Sequence, residues 1–570
     1  MPDIGSWTAS PANAAKISGA GEVVGVDIYK QRVTQPRLAQ LPNSSAWRPS
    51  RDSAIWVGIG LIFAVITIAI ARTRSPWWDE GQLADPAHTL AQFGYLGSKI
   101  MSGKGHPMVR EFVAYDRYTF WTVPLYLVVL AGWIKLLGFS FVKLRMLSVL
   151  FGAGLVCAGS SLTRRLTGSH LSGMLAALFL ATDYTVLLSA ATVRMDVMAA
   201  ALGFGGIAVY VALRERSLPL ACFLGSLFTA AACFAHPVSL LHTGGLLLTA
   251  IFLDHKRLTW RDFTLAATPY LIFAVLWGLY IIQAPGIFLS QIRAHSTYRL
   301  GGLSSPVHAV LSDVVNRYVT FFTPQGRGSK LKLCILLTYW AGILSAAFVP
   351  VLRRARGVLL LLLLSGLYYA ELALLDGAQV PHYMVHVIAM WALLLAAVAG
   401  AAVSNKLVPI PLLASLLCGL ILLQISGHVI KIWQNTYRNE YLPTIEFVMN
   451  HSDRQTLVIG PSQLQFELRN RVLVDDARLG GLTGRSPDII VLDSLHRVPH
   501  LFEAHEPDMA RYVSYVLTKR FFLAANYGDY QVYLPLAGPN PGSTERNDNQ
   551  LVQVLQLAGP QPQIRLHPSK

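Results

Sequence analysis

Long apolar runs separated by short polar connections dominate the chain as far as Gly427. Runs at 54–71, 142–163, 170–189, 194–213, 218–236, 238–253, 264–283, 332–352, 357–375, 385–403 and 407–427 are each suited to crossing a hydrocarbon core of about 30 Å. A further run, 119–137, holds Trp121, Pro124, Tyr126, Trp133 and Lys135, and reads as an amphipathic or re-entrant piece lying in the interface. After Gly427 the period changes. Strand-like runs at 456–460, 471–474, 488–492 and 530–534 alternate with helical stretches near 443–450 and 507–518, which predicts a small α/β domain over 430–540.

Composition agrees with this division. Of the 570 residues, 53% are hydrophobic and 14% charged, with a mean hydropathy of +0.45, which excludes a soluble enzyme and predicts a polytopic α-helical membrane protein. The net charge of +16 does not signal nucleic acid, because the basic residues sit mostly in short loops between apolar runs. Arg164-Arg165, Arg214/Arg216, Lys256-Arg257 and Arg353-Arg354/Arg356 mark cytoplasmic loops by the positive-inside rule.

With the N-terminus also inside, Arg164-Arg165 reaches the cytoplasm only if one segment between 72 and 163 does not cross, and 119–137 is the best candidate. About eleven spans follow, with the C-terminal α/β domain extracytoplasmic and the protein in the inner (plasma) membrane. If 119–137 does cross, another assignment fails. Residues 1–52 read as a disordered cytoplasmic tail, 53–429 as the membrane domain, 72–141 as a large first outer loop and 541–570 as a disordered tail. The first apolar run is internal, so no cleavable signal peptide is expected. All five cysteines fall in apolar segments and carry no disulfide or zinc spacing.

Chemistry concentrates at one face. Trp77 and Trp78 suit the membrane interface, and Asp79 and Glu80 follow them just beyond the first span. At the same face the fourth span opens with Arg194 and Asp196. Arg117 and Tyr118 lie in the first outer loop, His236 between the fifth and sixth spans, Arg299 in the loop 284–331, and His382-Tyr383 after the ninth span. Ionisable groups beside spans are costly and usually mark function. Alone, Asp196 reads as a helix cap and His236-Pro237 as a kink.

Trp78-Asp79-Glu80-Gly81 with Asp85-Pro86-Ala87 resembles the first-loop acidic motif of the GT-C glycosyltransferases, in the branch of protein O-mannosyltransferases and lipid A aminoarabinose transferases. Thr119–Tyr126 with Trp133–Gly138 resembles that family's proline-tyrosine interfacial stretch, Leu162–Leu166 its double-arginine turn, Val193–Asp196 its second acidic motif and Pro381–Tyr383 its late aromatic motif. One departure is Thr122-Val123, where family members often carry a lysine or a second proline; Lys104, Arg110 and Arg117 are possible substitutes for phosphate binding.

The resemblance implies transfer of a sugar from a polyprenyl-phosphate donor to an extracytoplasmic lipid, glycan or protein acceptor, with inversion. It implies Asp79 as general base, with Glu80 and Asp196 as further catalytic carboxylates that orient cations. Arg117, Tyr118, Tyr126, Arg194, His236, Arg299, His382 and Tyr383 are the expected donor-phosphate or substrate contacts. The family contains metal-using and metal-independent members, so a divalent ion on Asp79, Glu80 and Asp196 stays open. Two other classes compete: a secondary transporter or lipid flippase, and a non-catalytic envelope assembly protein. A transporter should show midplane charges and internal repeats, and the sequence displays neither.

Overall fold

The computed structural model describes residues 51–101, 103–104, 106, 111–296, 305–323, 329–468, 471–497 and 506–536. The sequence expectations for 1–50, 541–570, Arg110 and Arg299 fall outside these residues.

Among the described residues, ten helices are long and apolar enough to cross a membrane, or eleven if a bent pair counts as one span. The chain is a multi-pass membrane protein. The first helix is α1 (Arg51–Thr73), followed by α2 (Trp78–Phe93), α3 (Leu125–Leu137), α4 (Phe141–Thr167), α5 (His170–Thr182), α6 (Tyr184–Ala190) and α7 (Met195–Leu213). Next come α8 (Leu218–Ala235), α9 (Leu240–Asp254) and α10 (Trp260–Ile281), and later helices at Ser329–Phe348, Arg356–Leu375, Met384–Ser404 and Ile410–Gln434.

The run 119–137 yields only α3, whose 13 residues span about 20 Å and fall short of a hydrocarbon core. The run 170–189 is not one continuous helix: α5 and α6 meet at a 61° bend. Asp183 makes the break, since its Oδ1 accepts the amides of Thr185 and Val186 while Oδ2 accepts the Tyr339 hydroxyl at 2.6 Å. A capping carboxylate favours starting a new helix over continuing the old one.

Small residues let the spans approach closely. Gly152 faces Phe63 and Ala190, and Gly159 faces Leu180 and Leu393. Met384–Ser404 is buried along most of its length, whereas α10 fully buries only Asp262 and Pro269, as a helix at the edge of the bundle should.

The C-terminal region forms a five-stranded sheet of β1 (Leu457–Ile459), β2 (Val472–Val474), β3 (Ile489–Leu492), β4 (Phe521–Tyr527) and β5 (Tyr530–Pro535). The order is β2-β1-β3-β5-β4, with β1 parallel to β2 and β3, and β5 antiparallel to β3 and β4. Strand β4 is absent from the sequence reading, because as an edge strand it lacks a clean in–out alternation. The signal that could have found it is Gly528-Asp529, a two-residue hairpin turn in which Gly528 adopts φ 62°.

The turn Ser462–Phe466, which follows β1, meets α2 directly. A Cβ added to Gly81 would lie 2.4 Å from the Gln463 amide nitrogen and 2.5 Å from the Ser462 carbonyl carbon, and backbone cannot swing aside. Gly81→Ala should therefore cost about 1–3 kcal/mol by overpacking. A drop in the thermal midpoint checks this, and an unchanged midpoint would refute the tight contact.

Candidate active site

Each residue of the Trp78–Gly81 tetrad engages a different partner. The motif forms the first turn of α2 rather than a solvated loop. Trp78 donates its indole N–H to Asp475 Oδ2 at 2.8 Å. Asp79 pairs with the Arg194 guanidinium. Glu80 accepts from Arg145 through both oxygens, at 2.6 and 2.8 Å, and also from the amides of Trp77 and Val193. Gly81 offers its carbonyl to Gln465 at 2.8 Å.

Arg194 is the centre of the arrangement. It is buried, donates from Nε to Asp196 Oδ2 at 2.7 Å, reaches Asp79 through Nη1, and lies 5.1 Å from the Trp77 ring. The first turn of α2 and the start of α7 thus bring two carboxylates onto one guanidinium. Of these, Asp79 keeps 26% of its side chain exposed, whereas Asp196 is buried. The His382 ring packs 4.3 Å from Trp77, and His236 and Tyr383 pack together at 4.7 Å. His236 also accepts the Val238 amide, capping the turn that follows it.

Other expected contacts lie elsewhere. Arg117 and Tyr118 line a cavity of about 1050 Å³ with Lys99 and Tyr280 at its polar part and Phe234, Phe273, Leu276 and Trp277 along its apolar part. The Arg117 side chain is largely exposed, 3.9 Å from Asp116. Tyr126 is buried in the apolar cluster of Leu83, Leu130, Leu144 and Met195. Of two acids near the end of Arg356–Leu375, Asp376 pairs with Arg317 at 2.9 Å, whereas Glu371 sits beside Gly244 and one of its buried oxygens has no hydrogen-bond partner among the described residues.

The residue that sequence reasoning missed is Arg145. It is fully buried, and besides Glu80 it donates to the carbonyls of Ala71, Arg74 and Ser75, closing the connection between α1 and α2. Its signal was an arginine inside an apolar run, two residues after Lys143.

The carboxylates do not fit a divalent ion. The Arg194 guanidinium stands between Asp79 and Asp196, and both Glu80 oxygens are committed to Arg145 and backbone amides. Among the described residues no cluster of three His, Cys, Asp or Glu has metal-ligand geometry.

Two buried titratable groups outside the spans, His496 and Asp85, shape the surroundings. His496 donates to both Asp493 and Asp475, at 2.7 and 3.1 Å. Burial opposes its charge, but Asp493 and Asp475 outweigh burial and push it up to about 10. Asp85 holds the 98–100 segment, accepting the Ser98 hydroxyl and the amides of Lys99 and Ile100. Burial raises Asp85 to about 6 against those hydrogen bonds, with Asp475 adding to the rise. Because its folded value exceeds the unfolded one of about 3.9, Asp85 contributes stability that is complete below that value and lost as pH climbs through about 6. Asp85→Asn should remove this dependence, so its melting profile should be flatter than wild type between pH 4 and 7. Parallel profiles would show that Asp85 does not titrate there.

No protein-family model matches the chain, and no curated protein matches it. Solved structures do. ArnT from Cupriavidus metallidurans in the apo state superimposes with a TM-score of 0.56 at 13% identity, covering 86% of this chain and 100% of that one. The same protein bound to undecaprenyl phosphate gives 0.53 at 13% identity, covering 85% and 99%. The chain has a GT-C fold. Identity this low establishes architecture only, so chemistry rests on the residues described above.

Proposed function

We propose that this GT-C chain is a glycosyltransferase that moves a sugar from a polyprenyl-phosphate donor to an extracytoplasmic acceptor, with inversion at the anomeric carbon. The observation that carries the reading is the Asp79–Arg194–Asp196 bridge, in which residues 115 positions apart meet at the mouth of a helical bundle. The cavity beside Arg117 supports a lipid-borne donor, because cationic and apolar side chains line it together, and ArnT was captured with undecaprenyl phosphate.

In this reading Asp79 takes the proton of the acceptor hydroxyl as it attacks. Asp196 positions Arg194, and Arg194 holds Asp79. The leaving phosphate gains charge as the glycosidic bond breaks, and Arg117 and Lys99 on the cavity wall are the cations this reading assigns to meet it. Glu80 positions the motif through Arg145. The outer placement of the sheet and of the site follows the positive-inside argument.

The test supplies the purified chain in nanodiscs with a panel of polyprenyl-phosphate sugars and envelope acceptors. Released polyprenyl phosphate and a product of inverted anomeric configuration are expected. A retained configuration would overturn the single displacement, and no release with any donor would overturn the reading. Ion-coupled uptake by proteoliposomes would favour a transporter.

A further inference from the structure

One cavity, of about 220 Å³, lies against Trp77 and takes no part in the mechanism above. Part of its lining comes from the ends of two spans. Arg74 follows α1, and Lys431 lies in the last turn of Ile410–Gln434. The rest comes from the C-terminal region, through Gln463, Asp493 and Asp529 among others.

Two polar atoms on this lining are left over. Gln463 is only 1% exposed, and its Nε2 donates to Asp493 at 2.9 Å. Its Oε1 is buried without a hydrogen-bond partner among the described residues, and so is the Ser75 hydroxyl. The nearby Tyr530 hydroxyl is given to the Pro76 carbonyl at 3.3 Å. A buried acceptor without a donor costs free energy that a ligand hydroxyl would recover.

The charges decide what kind of ligand suits the cavity. Glu440, Asp493 and Asp529 on the lining would repel an anion, and Arg74 and Lys431 would repel a cation. An apolar group would strip water from all five and return nothing. A neutral ring bearing several hydroxyls suits both sets, because each hydroxyl can donate to an acid and accept from a base.

We propose that this cavity holds one neutral sugar ring of the acceptor, an assignment that rests on the transfer reaction proposed above. The acceptor is favoured over the donor because this lining shares no residue with the cavity beside Arg117, to which the donor phosphate is assigned. Trp77 lines the sugar cavity, and its ring lies 5.1 Å from Arg194, which holds Asp79. A neighbouring unit of the same acceptor can then present its hydroxyl to the base. Contacts made away from the reacting hydroxyl lower the acceptor KM and leave kcat alone.

The test titrates the full chain in nanodiscs, without donor, using saturation-transfer NMR. The probes are the methyl glycosides of glucose, galactose, mannose and N-acetylglucosamine. At least one should bind, and Lys431→Met and Gln463→Met should each weaken it about tenfold. Lys431 forms no ion pair among the described residues, so Lys431→Met strands no partner and should fold. Arg353→Gln with Arg354→Gln, in a separate turn between spans, should leave binding unchanged. Binding by none of the glycosides, or equal binding by wild type and the folded variants, would overturn the site. Glucosamine or glucuronic acid binding more tightly than every neutral probe would overturn the neutral assignment. The diacylglycerol glycoside of the sugar that binds, placed in the disc, separates the sources: displacement assigns a lipid-borne ring, and no displacement a glycan outside the bilayer. A bound glycoside that neither accepts sugar nor competes with the acceptor in turnover would overturn the acceptor role. Binding with no donor reacting would instead remove the transfer reading and leave the sugar site.

Discussion

Asp79→Asn is expected to lower turnover by about 10²–10⁴-fold, the scale of general-base loss, while leaving donor affinity nearly unchanged. Asparagine keeps the size of the side chain and one oxygen that can still accept from Arg194 Nη1, so the bridge to Asp196 survives as a hydrogen bond. What it cannot do is take a proton from an attacking hydroxyl. The lost interaction then exists only in the transition state, which lowers kcat and kcat/KM together rather than raising KM. Arg117→Ala should give the other pattern, with weaker donor binding, since its cavity is where a lipid phosphate would rest before reaction. Single-turnover rates and a separate binding assay distinguish the two. If Asp79→Asn binds donor poorly yet turns over normally at saturation, Asp79 is a binding residue and the base lies elsewhere.

Much of the architecture was legible in the sequence because spanning a membrane demands length and apolarity together. The eleven apolar runs reappear as ten spanning helices and one bent pair. Four of the five strands coincide with runs of β-branched and aliphatic residues. That Asp79 and Asp196 share one face was also legible, since the first span ends just before Asp79 and the fourth begins beside Asp196. Other features were hidden, and for a common reason: they depend on partners far away in the chain. Trp78 reads as an interface aromatic until Asp475, 397 positions later, accepts its N–H. Gly81 reads as a loop glycine until the 462–463 backbone presses against it. The break at Asp183 needs Tyr339 and Gln424 to make an acid tolerable among apolar spans. Arg145 looks like an unpaired charge in a helix because its acceptors, Ala71, Arg74, Ser75 and Glu80, lie far back in the chain.

Arg145→Met should be the most destabilising single change, costing about 3–5 kcal/mol, because it leaves the Glu80 carboxylate buried without its cation. Both side chains are fully buried, so water cannot take over the lost bonds. The carbonyls of Ala71, Arg74 and Ser75 also lose their donor, which loosens the turn that aims α2. Lysine should not rescue, since one ammonium cannot reproduce a fork that meets both Glu80 oxygens and three carbonyls. Arg145→Met combined with Glu80→Leu should cost less than the sum of the two single changes, because the stranded charge disappears. Thermal unfolding in nanodiscs checks the size, and the cycle of four proteins checks the coupling. Activity per folded molecule then separates the adjacent carboxylates. Glu80→Gln keeps one oxygen, which can accept from the Trp77 or the Val193 amide but not both, so fewer molecules should fold; the fraction that folds should retain most of its turnover, whereas Asp79→Asn should fold normally and turn over slowly. If folded Glu80→Gln is as slow as Asp79→Asn, Glu80 acts in the chemistry and the division between a positioning acid and a base at this turn fails.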